Sequence, residues 1–363
     1  MWSMLSSYPI KSYKKDNLKI INPKKTPYNK KKVFILLAVI GLVIIIFLGN
    51  FFWNDEARIE RALENHETSE YQATKILIQD LLKENPKDPF ALKAQGKYYL
   101  MIALEKNLDV LEESNLLKKS IASFEKIVIL GNGQSQGIKS DLYFFMGLAY
   151  FLIGRRGYEH SLYYLERSVE LDQKDQEVTD YVQENGLHIH MDNKSYSISL
   201  YGLLGLVSYQ LNESDRTISY LNKAVKEKDA VVIYHYYLGL AYKDLGIYEK
   251  ALEELEIVIN KEKDTILLEK SYFRISSIYL LRKEYNQSIR YIKKAQKLYS
   301  SPPADSYYRL GLVYEAKKQN AKAIKYWRKA VQLNKKHSKA WRKLVRYEQK
   351  FKKPSRKSRK KRR

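Results

Sequence analysis

The chain has 363 residues, a formal net charge of +24 and no cysteine. The absence of cysteine excludes disulfide bonds, thiolate metal sites and cysteine nucleophiles. The charge is concentrated at the two ends, because residues 1–32 hold nine lysines and one acid, and residues 335–363 hold sixteen basic residues and one acid. The body between these ends is nearly neutral, so each basic end needs its own explanation.

The first 53 residues predict a basic arm followed by a membrane span. Residues 1–32 lack hydrophobic periodicity and are predicted to be a disordered arm. Residues 33–53 then contain 21 residues without a charge, which at about 1.5 Å per residue match a bilayer core of roughly 30 Å. We predict an uncleaved transmembrane helix that ends in an aromatic belt at Phe51, Phe52 and Trp53. A buried core helix and a cleavable signal peptide are the alternatives, although no small-residue cleavage site follows the apolar run.

The charges that flank this span predict its orientation. Lys30, Lys31 and Lys32 precede the span, whereas Asp55 and Glu56 follow it. The positive-inside rule then puts the N-terminus in the cytoplasm. We therefore expect a single-pass protein of the inner (cytoplasmic) membrane whose folded domain lies in a bacterial periplasm or an equivalent extracytoplasmic space.

Residues 54–351 repeat a pattern of paired helices. In the clearest copy, Gly239 lies on the first predicted helix, and Ala251 and Leu255 lie on one face of the second. A small residue is needed there because two helices that cross at about 8–10 Å leave no room for a larger side chain. The same first-helix position is occupied by Gly96, Gly147, Gly205, Ser276 and Gly311, and the residues corresponding to Leu255 are Phe124, Leu165, Leu221, Ile292 and Trp327.

A period near 34 residues with this small-residue pattern resembles the tetratricopeptide repeat (TPR). The resemblance covers residues 55–350 and is clearest over residues 198–337. It implies an all-α fold, namely a right-handed TPR solenoid of about six to seven helical hairpins that follows the transmembrane helix. A capping helix over residues 338–351 is predicted to cover the last repeat with Trp341, Leu344 and Tyr347.

Two segments interrupt the repeats, and neither carries a complete chemical motif. Gly131–Gly137 is rich in glycine, but it lacks the Gly-Lys-Ser/Thr sequence and the preceding strand of a phosphate loop. Residues 173–196 contain His188, His190 and Asp192, which are too few ligands for a zinc site, and we predict a loop or a short extra helix there. Because no catalytic motif is found, we expect no enzyme activity, no metal and no cofactor.

The resemblance also implies a partner-binding groove, because the first helices of TPR arrays line a concave face. A partner's extended peptide or amphipathic helix is expected to bind there. Packing between repeats is the alternative role for any single residue of this set. The Lys/Asn set with which chaperone-binding members clamp a C-terminal carboxylate is missing. The predicted groove residues are Phe144, Leu148, Phe151, Leu206, Tyr209, Tyr236, Leu240, Phe273, Tyr308 and Leu312.

Residues 352–363 form a basic tail with nine basic residues in twelve. We predict that this tail is disordered alone and binds an anionic partner. Nucleic acid, an anionic envelope surface and an acidic protein stay open as partners, and the predicted topology favours the last two. The candidate residues of the tail are Arg356, Lys357, Arg359, Lys360, Lys361, Arg362 and Arg363.

These features predict a membrane-anchored scaffold that mediates protein–protein interactions in the assembly of a cell-envelope complex. The periplasmic part of a flagellar motor is one complex that fits this layout. The alternative function is a nucleic-acid or ribosome-associated adaptor that acts through the basic tail, and it requires the opposite membrane orientation. An enzyme that uses His188 and His190 is a third hypothesis, and it requires bound zinc.

Overall fold

The computed structural model describes residues 55–64, 71–104, 108–131, 139–175, 178, 182, 188–191, 194–227 and 231–352. The chain divides into Met1–Ala57 and Arg58–Arg363, and only residues 55–57 of the first unit are described. The predicted arm (1–32), the predicted transmembrane helix (33–53) and tail residues 353–363 lie outside the described residues. Within the described residues, no helix has the length and apolar character needed to span a bilayer.

The described residues form fifteen helices and one β-hairpin. Upstream of the hairpin are α1 (Asp55–Glu64), α2 (Tyr71–Glu84), α3 (Pro89–Ala103), α4 (Val110–Leu130), α5 (Ser140–Ile153) and α6 (Tyr158–Asp175). The hairpin consists of β1 (His188–Met191) and β2 (Lys194–Ser197). Downstream are α7 (Leu200–Gln210), α8 (Ser214–Ala224), α9 (Val232–Asp244), α10 (Tyr248–Lys261), α11 (Thr265–Leu281), α12 (Tyr285–Gln296), α13 (Ala304–Ala316), α14 (Asn320–Leu333) and α15 (Ser338–Lys352).

The helices from α3 to α14 pack as consecutive hairpins. Each odd-numbered helix packs against the next even-numbered helix, and that helix packs against the first helix of the following hairpin. The first helices also contact one another across the intervening helix, from α3–α5 through α9–α11. Because this side of the array brings every second helix into contact, we assign it as the inner side. The prediction of a helical repeat solenoid is confirmed for the described residues.

Each glycine of the repeat pattern lies where the first helix meets a large side chain of the second. A Cβ atom added to Gly239 would lie 2.7 Å from Leu255 Cγ and 3.2 Å from the Ala251 carbonyl oxygen. These distances leave no room for a side chain, as predicted from the sequence. The other repeat glycines also contact their predicted partners, in the pairs Gly96/Phe124, Gly147/Leu165, Gly205/Leu221 and Gly311/Trp327.

Serine replaces glycine in the α11/α12 hairpin, and hydrogen bonds then hold the close approach. The Ser288 hydroxyl donates to the Ser276 carbonyl oxygen at 2.9 Å, and the two hydroxyl oxygens also lie 2.9 Å apart. Both side chains are buried. The hydroxyl therefore remains satisfied at a crossing where an unpaired polar group would be costly.

Tyrosine hydroxyls connect neighbouring hairpins through carboxylates. Tyr220 on α8 donates to Glu166 on α6 at 2.8 Å. Burial and the hydrogen bond to Glu166 raise the pKa of Tyr220 to about 12, so its hydroxyl stays protonated and can donate at neutral pH. Tyr347 on α15 donates to Glu315 on α13 at 2.9 Å. Because hydrogen bonds to charged groups are stronger than neutral ones, these contacts fix each hairpin against the next.

The insertion over residues 173–196 differs in part from its prediction. Its described residues 178 and 182 are helical, in keeping with the predicted short extra helix, but the segment also contains an antiparallel β-hairpin that was not predicted, in which His188 pairs with Ser197 and Met191 pairs with Lys194. Ile189 on β1 and Ile198 directly after β2 are both buried, which anchors the open end of the hairpin in the core. Every other element of the described residues is a helix.

The helix α15 covers the final hairpin as predicted, with Leu344 and Tyr347 buried, but Ala340 takes the place predicted for Trp341. Ala340, Leu344 and Tyr347 are buried against α14, whereas the side chain of Trp341 is 47% exposed. The prediction that Trp341 packs against the last repeat is wrong, because one residue along a helix turns the side chain by about 100°. The Trp341 indole N–H instead donates to the Lys335 carbonyl oxygen at 2.8 Å.

Candidate functional site

A cleft of about 550 Å³ lies on the inner side of the array. Residues from α7, α9 and α11 and from the start of α13 line it. The cleft therefore crosses four consecutive first helices. A surface of this kind is long enough for an extended chain, which advances about 3.3 Å per residue.

Four of the ten predicted groove residues lie in this cleft. Tyr209 is partly buried at its edge. Tyr236, Leu240 and Phe273 form its floor, with only 5%, 3% and 5% of their surface exposed. They can support an occupant over a small contact area, but they do not project into the open space.

Three other predicted groove residues are buried in the core. Phe144, Leu148 and Leu206 have 0%, 0% and 1% of their surface exposed. These three residues pack between helices, which is the alternative role that the sequence analysis gave for residues of this set. We remove them from the candidate set on this ground.

The remaining three, Phe151, Tyr308 and Leu312, are partly buried and do not line the cleft. Tyr308 instead packs near His337, with the two ring centroids 5.1 Å apart. The tail residues from Arg356 to Arg363 lie outside the described residues, so their predicted contact with an anionic partner stays a prediction.

The sequence analysis missed eight of the twelve residues that line the cleft, and three of these eight share one position in their helices. Tyr237, Arg274 and Arg309 each follow a predicted groove residue by one position. The face that opens to the cleft is thus rotated by about 100° from the predicted one. A signal was present in the sequence, because an arginine lies two residues before the small residue of the crossing in two consecutive first helices, Arg274 before Ser276 and Arg309 before Gly311.

Three tyrosines form a connected aromatic wall. The rings of Tyr209 and Tyr237 meet edge-to-face with centroids 5.1 Å apart, and those of Tyr236 and Tyr237 do so at 5.5 Å. Edge-to-face packing of this kind stabilises aromatic pairs and holds the rings in one orientation. Burial and the Asp244 carboxylate raise the pKa of Tyr209, so its hydroxyl remains a hydrogen-bond donor at neutral pH.

Two arginines face this wall from α11 and α13. The Arg274 Nε–H donates to the Tyr236 hydroxyl at 3.2 Å. Arg309 pairs with Asp305 at 2.6 Å, and its guanidinium carbon lies 4.3 Å from the Phe273 ring centroid. Burial lowers the pKa of Arg274, but Tyr236, Tyr209 and Asp244 raise it, and the net pKa is above its usual value. Arg274 therefore keeps its charge.

The arrangement favours binding over catalysis. It combines rigid aromatic rings with guanidinium groups, which suits recognition of an apolar and acidic chain. Among the residues that the structure describes, no three potential metal ligands come together. His188 and His190 lie on β1, and Asp192 lies outside the described residues.

The stacked hairpins, the small-residue crossings and the inner cleft define an α-helical repeat protein that presents one long face. Three of its hairpins are tetratricopeptide repeats, because residues 235–265, 269–302 and 304–337 each match a model of that repeat. The TPR prediction is confirmed by these matches. A search of curated proteins finds no significant match.

Several solved structures share the repeat fold at low identity. The apo quorum sensor NprR from B. thuringiensis is 16% identical, with coverage of 82% of this chain and 80% of that chain and a TM-score of 0.47. The APC/C hetero-tetramer Cut9-Hcn1 is 15% identical, with coverage of 80% of this chain and a TM-score of 0.44. The match covers 48% of that chain, so it spans about half of its length. MamA from Desulfovibrio magneticus RS-1 is 18% identical, with coverage of 55% of this chain and 98% of that chain and a TM-score of 0.42. We draw no functional conclusion from these likenesses.

Proposed function

We propose that this protein is a membrane-anchored TPR scaffold that holds an extended segment of a partner protein in its inner cleft. The observation that carries this proposal is the cleft, which four first helices line with an aromatic wall and two arginines. Full burial of an exposed aromatic side chain contributes about 1.5–3 kcal/mol. The partly buried Tyr209 and Tyr237 can each gain part of this energy from an occupant, and the guanidinium groups add charge-assisted hydrogen bonds.

Membrane anchoring is the second part of the proposal. Residues 33–53 contain no charge and precede the repeat array. An anchor would confine the cleft to the membrane plane, where a partner of the cell envelope meets it at a high effective concentration. The array would then serve the assembly of an envelope complex, of which the periplasmic part of a flagellar motor is an example.

The basic tail supplies a further contact in this proposal. It carries nine basic residues in its last twelve. Electrostatic attraction to an anionic envelope surface or an acidic protein would join the contact made in the cleft, and two linked contacts bind more tightly than either alone. If the C-terminus instead faced the cytoplasm, the same tail would meet nucleic acid.

Photo-crosslinking in cells tests this function. We expect p-benzoylphenylalanine in place of Tyr237 to capture one envelope protein, because this side chain lies in the cleft. A second probe in place of Arg356 is expected to capture an acidic envelope component.

The matched control is the same probe in place of Tyr163, which is half-exposed on α6 and outside the cleft. The proposal fails if Tyr237 captures nothing, or captures the same proteins as Tyr163. Recovery of nucleic acid or ribosomal protein from either probe contradicts the proposed membrane orientation.

A further inference from the structure

Arg274 differs from the other charged groups of the cleft. Its guanidinium is partly buried, and among the described residues it makes no ion pair. Its hydrogen bond to the Tyr236 hydroxyl uses Nε–H alone. The terminal N–H groups of the guanidinium therefore have no carboxylate partner among the described residues.

The carboxylates around Arg274 already have partners. Glu269 accepts a hydrogen bond from the Tyr299 hydroxyl at 2.8 Å. Asp305 is paired with Arg309 at 2.6 Å, and Asp244 is paired with Lys243 at the same distance. These pairings leave Arg274 without an ion pair of its own among the described residues.

A partly buried and unpaired guanidinium has a preferred ligand. Desolvation of such a charge is costly unless an opposite charge and hydrogen bonds compensate it. The planar fork of the guanidinium matches the two oxygens of a carboxylate. The tyrosines beside Arg274 supply apolar surface that would exclude water from such a pair.

We propose that Arg274 binds the side-chain carboxylate of an aspartate or glutamate within the partner's extended segment. This inference rests on the proposed function and specifies the chemistry of the partner. The acid is an internal residue of the segment, because the cleft continues on both sides of α11. The segment's neighbouring residues would contact Tyr209 and Tyr237 toward α7, and Phe273 and Arg309 toward α13.

Selection of displayed peptides tests this chemistry. Random 12-residue peptides, fused to the display protein at both ends, are selected against the purified full-length chain in detergent micelles. Binding to the cleft is defined by loss of binding to Tyr237→Ala. We expect the cleft-binding peptides to share one acidic position between apolar residues.

Synthetic versions of these peptides then test Arg274 directly. Replacing the shared glutamate by glutamine in the peptide, or Arg274→Gln in the protein, should each weaken binding about 10- to 100-fold, because a charge-assisted pair is lost. The two changes together should weaken binding little more than either change alone, because both remove the same contact. Arg274→Lys should give an intermediate loss, since lysine keeps the charge without the fork.

Arg290→Gln is the matched control, because Arg290 is exposed on the outer helix α12. It should leave affinity unchanged, and an unchanged melting temperature for Arg274→Gln would exclude unfolding as the cause. The inference is overturned if cleft-binding peptides lack an acidic position, or if Arg274→Gln leaves their affinity unchanged. A preference for a free C-terminal carboxylate over an amidated end also overturns it, and a selection without cleft binders contradicts the proposed function itself.

Discussion

Trp327→Ala is expected to destabilise the C-terminal end of the array by about 3–5 kcal/mol, the usual cost of emptying a buried aromatic site. The Trp327 side chain is 0% exposed and packs into the space that Gly311 leaves open. Its ring centroid lies 5.2 Å from that of Tyr347, and its indole N–H donates to the Tyr308 carbonyl oxygen at 3.3 Å. One substitution thus removes contacts to α13 and α15 together.

The loss should remain local, because each hairpin of a solenoid contacts only its neighbours. Limited proteolysis of the variant is expected to cleave within α13 to α15 while residues 198–296 stay protected. Trp341→Ala is the matched control, since Trp341 is 47% exposed and its loss should change the unfolding free energy by less than about 1 kcal/mol. Equal effects of the two substitutions would contradict the assignment of Trp327 to the core.

Gly239→Val is expected to destabilise the central hairpin by about 3 kcal/mol, at the upper end of the usual cost of overpacking. A Cβ atom added at this position would lie 2.7 Å from Leu255 Cγ and 3.2 Å from the Ala251 carbonyl oxygen, even before the valine methyl groups are considered. The carbonyl belongs to the backbone and cannot rotate away, so α9 and α10 must separate. Urea denaturation followed by circular dichroism measures the loss.

Leu255→Ala provides the test of mechanism. Alone, it should also destabilise the hairpin, because Leu255 is fully buried. Combined with Gly239→Val, it removes one of the two obstructing groups, so the double variant should lose less stability than the sum of the single variants. Strict additivity would mean that the two side chains do not compete for the same space.

The repeat architecture could be predicted from the sequence because its determinants are local and periodic. Gly239 and Leu255 lie 16 residues apart, and Gly205/Leu221 and Gly311/Trp327 keep the same separation. Because each helix crossing admits only a small residue, the same spacing recurs along the chain and can be recognised in a single sequence. The β-hairpin at His188–Ser197 occurs once, so no repeat supported its prediction.

The binding cleft was harder to predict, because its definition depends on how far each helix is rotated. Phe144 has the same spacing from its repeat glycine as Tyr236, and Leu206 the same as Leu240, yet only Tyr236 and Leu240 line the cleft. Tyr237, Arg274 and Arg309 lie one residue beyond the position of Tyr236 in their helices and open to the cleft. A one-residue shift turns a side chain by about 100°, which the periodicity of the apolar residues alone does not resolve.

Binding of a partner segment in the inner cleft is tested most directly by the affinity of this protein for the partner that the Tyr237 probe captures. Titration of that partner against the full-length chain should show about 10-fold or greater weakening for Tyr237→Ala, because an aromatic anchor in a binding site contributes more than about 1 kcal/mol. Tyr163→Ala, which removes the same side chain from α6, should leave the affinity unchanged. The reverse result, with weakened binding for Tyr163→Ala and unchanged binding for Tyr237→Ala, would contradict the account.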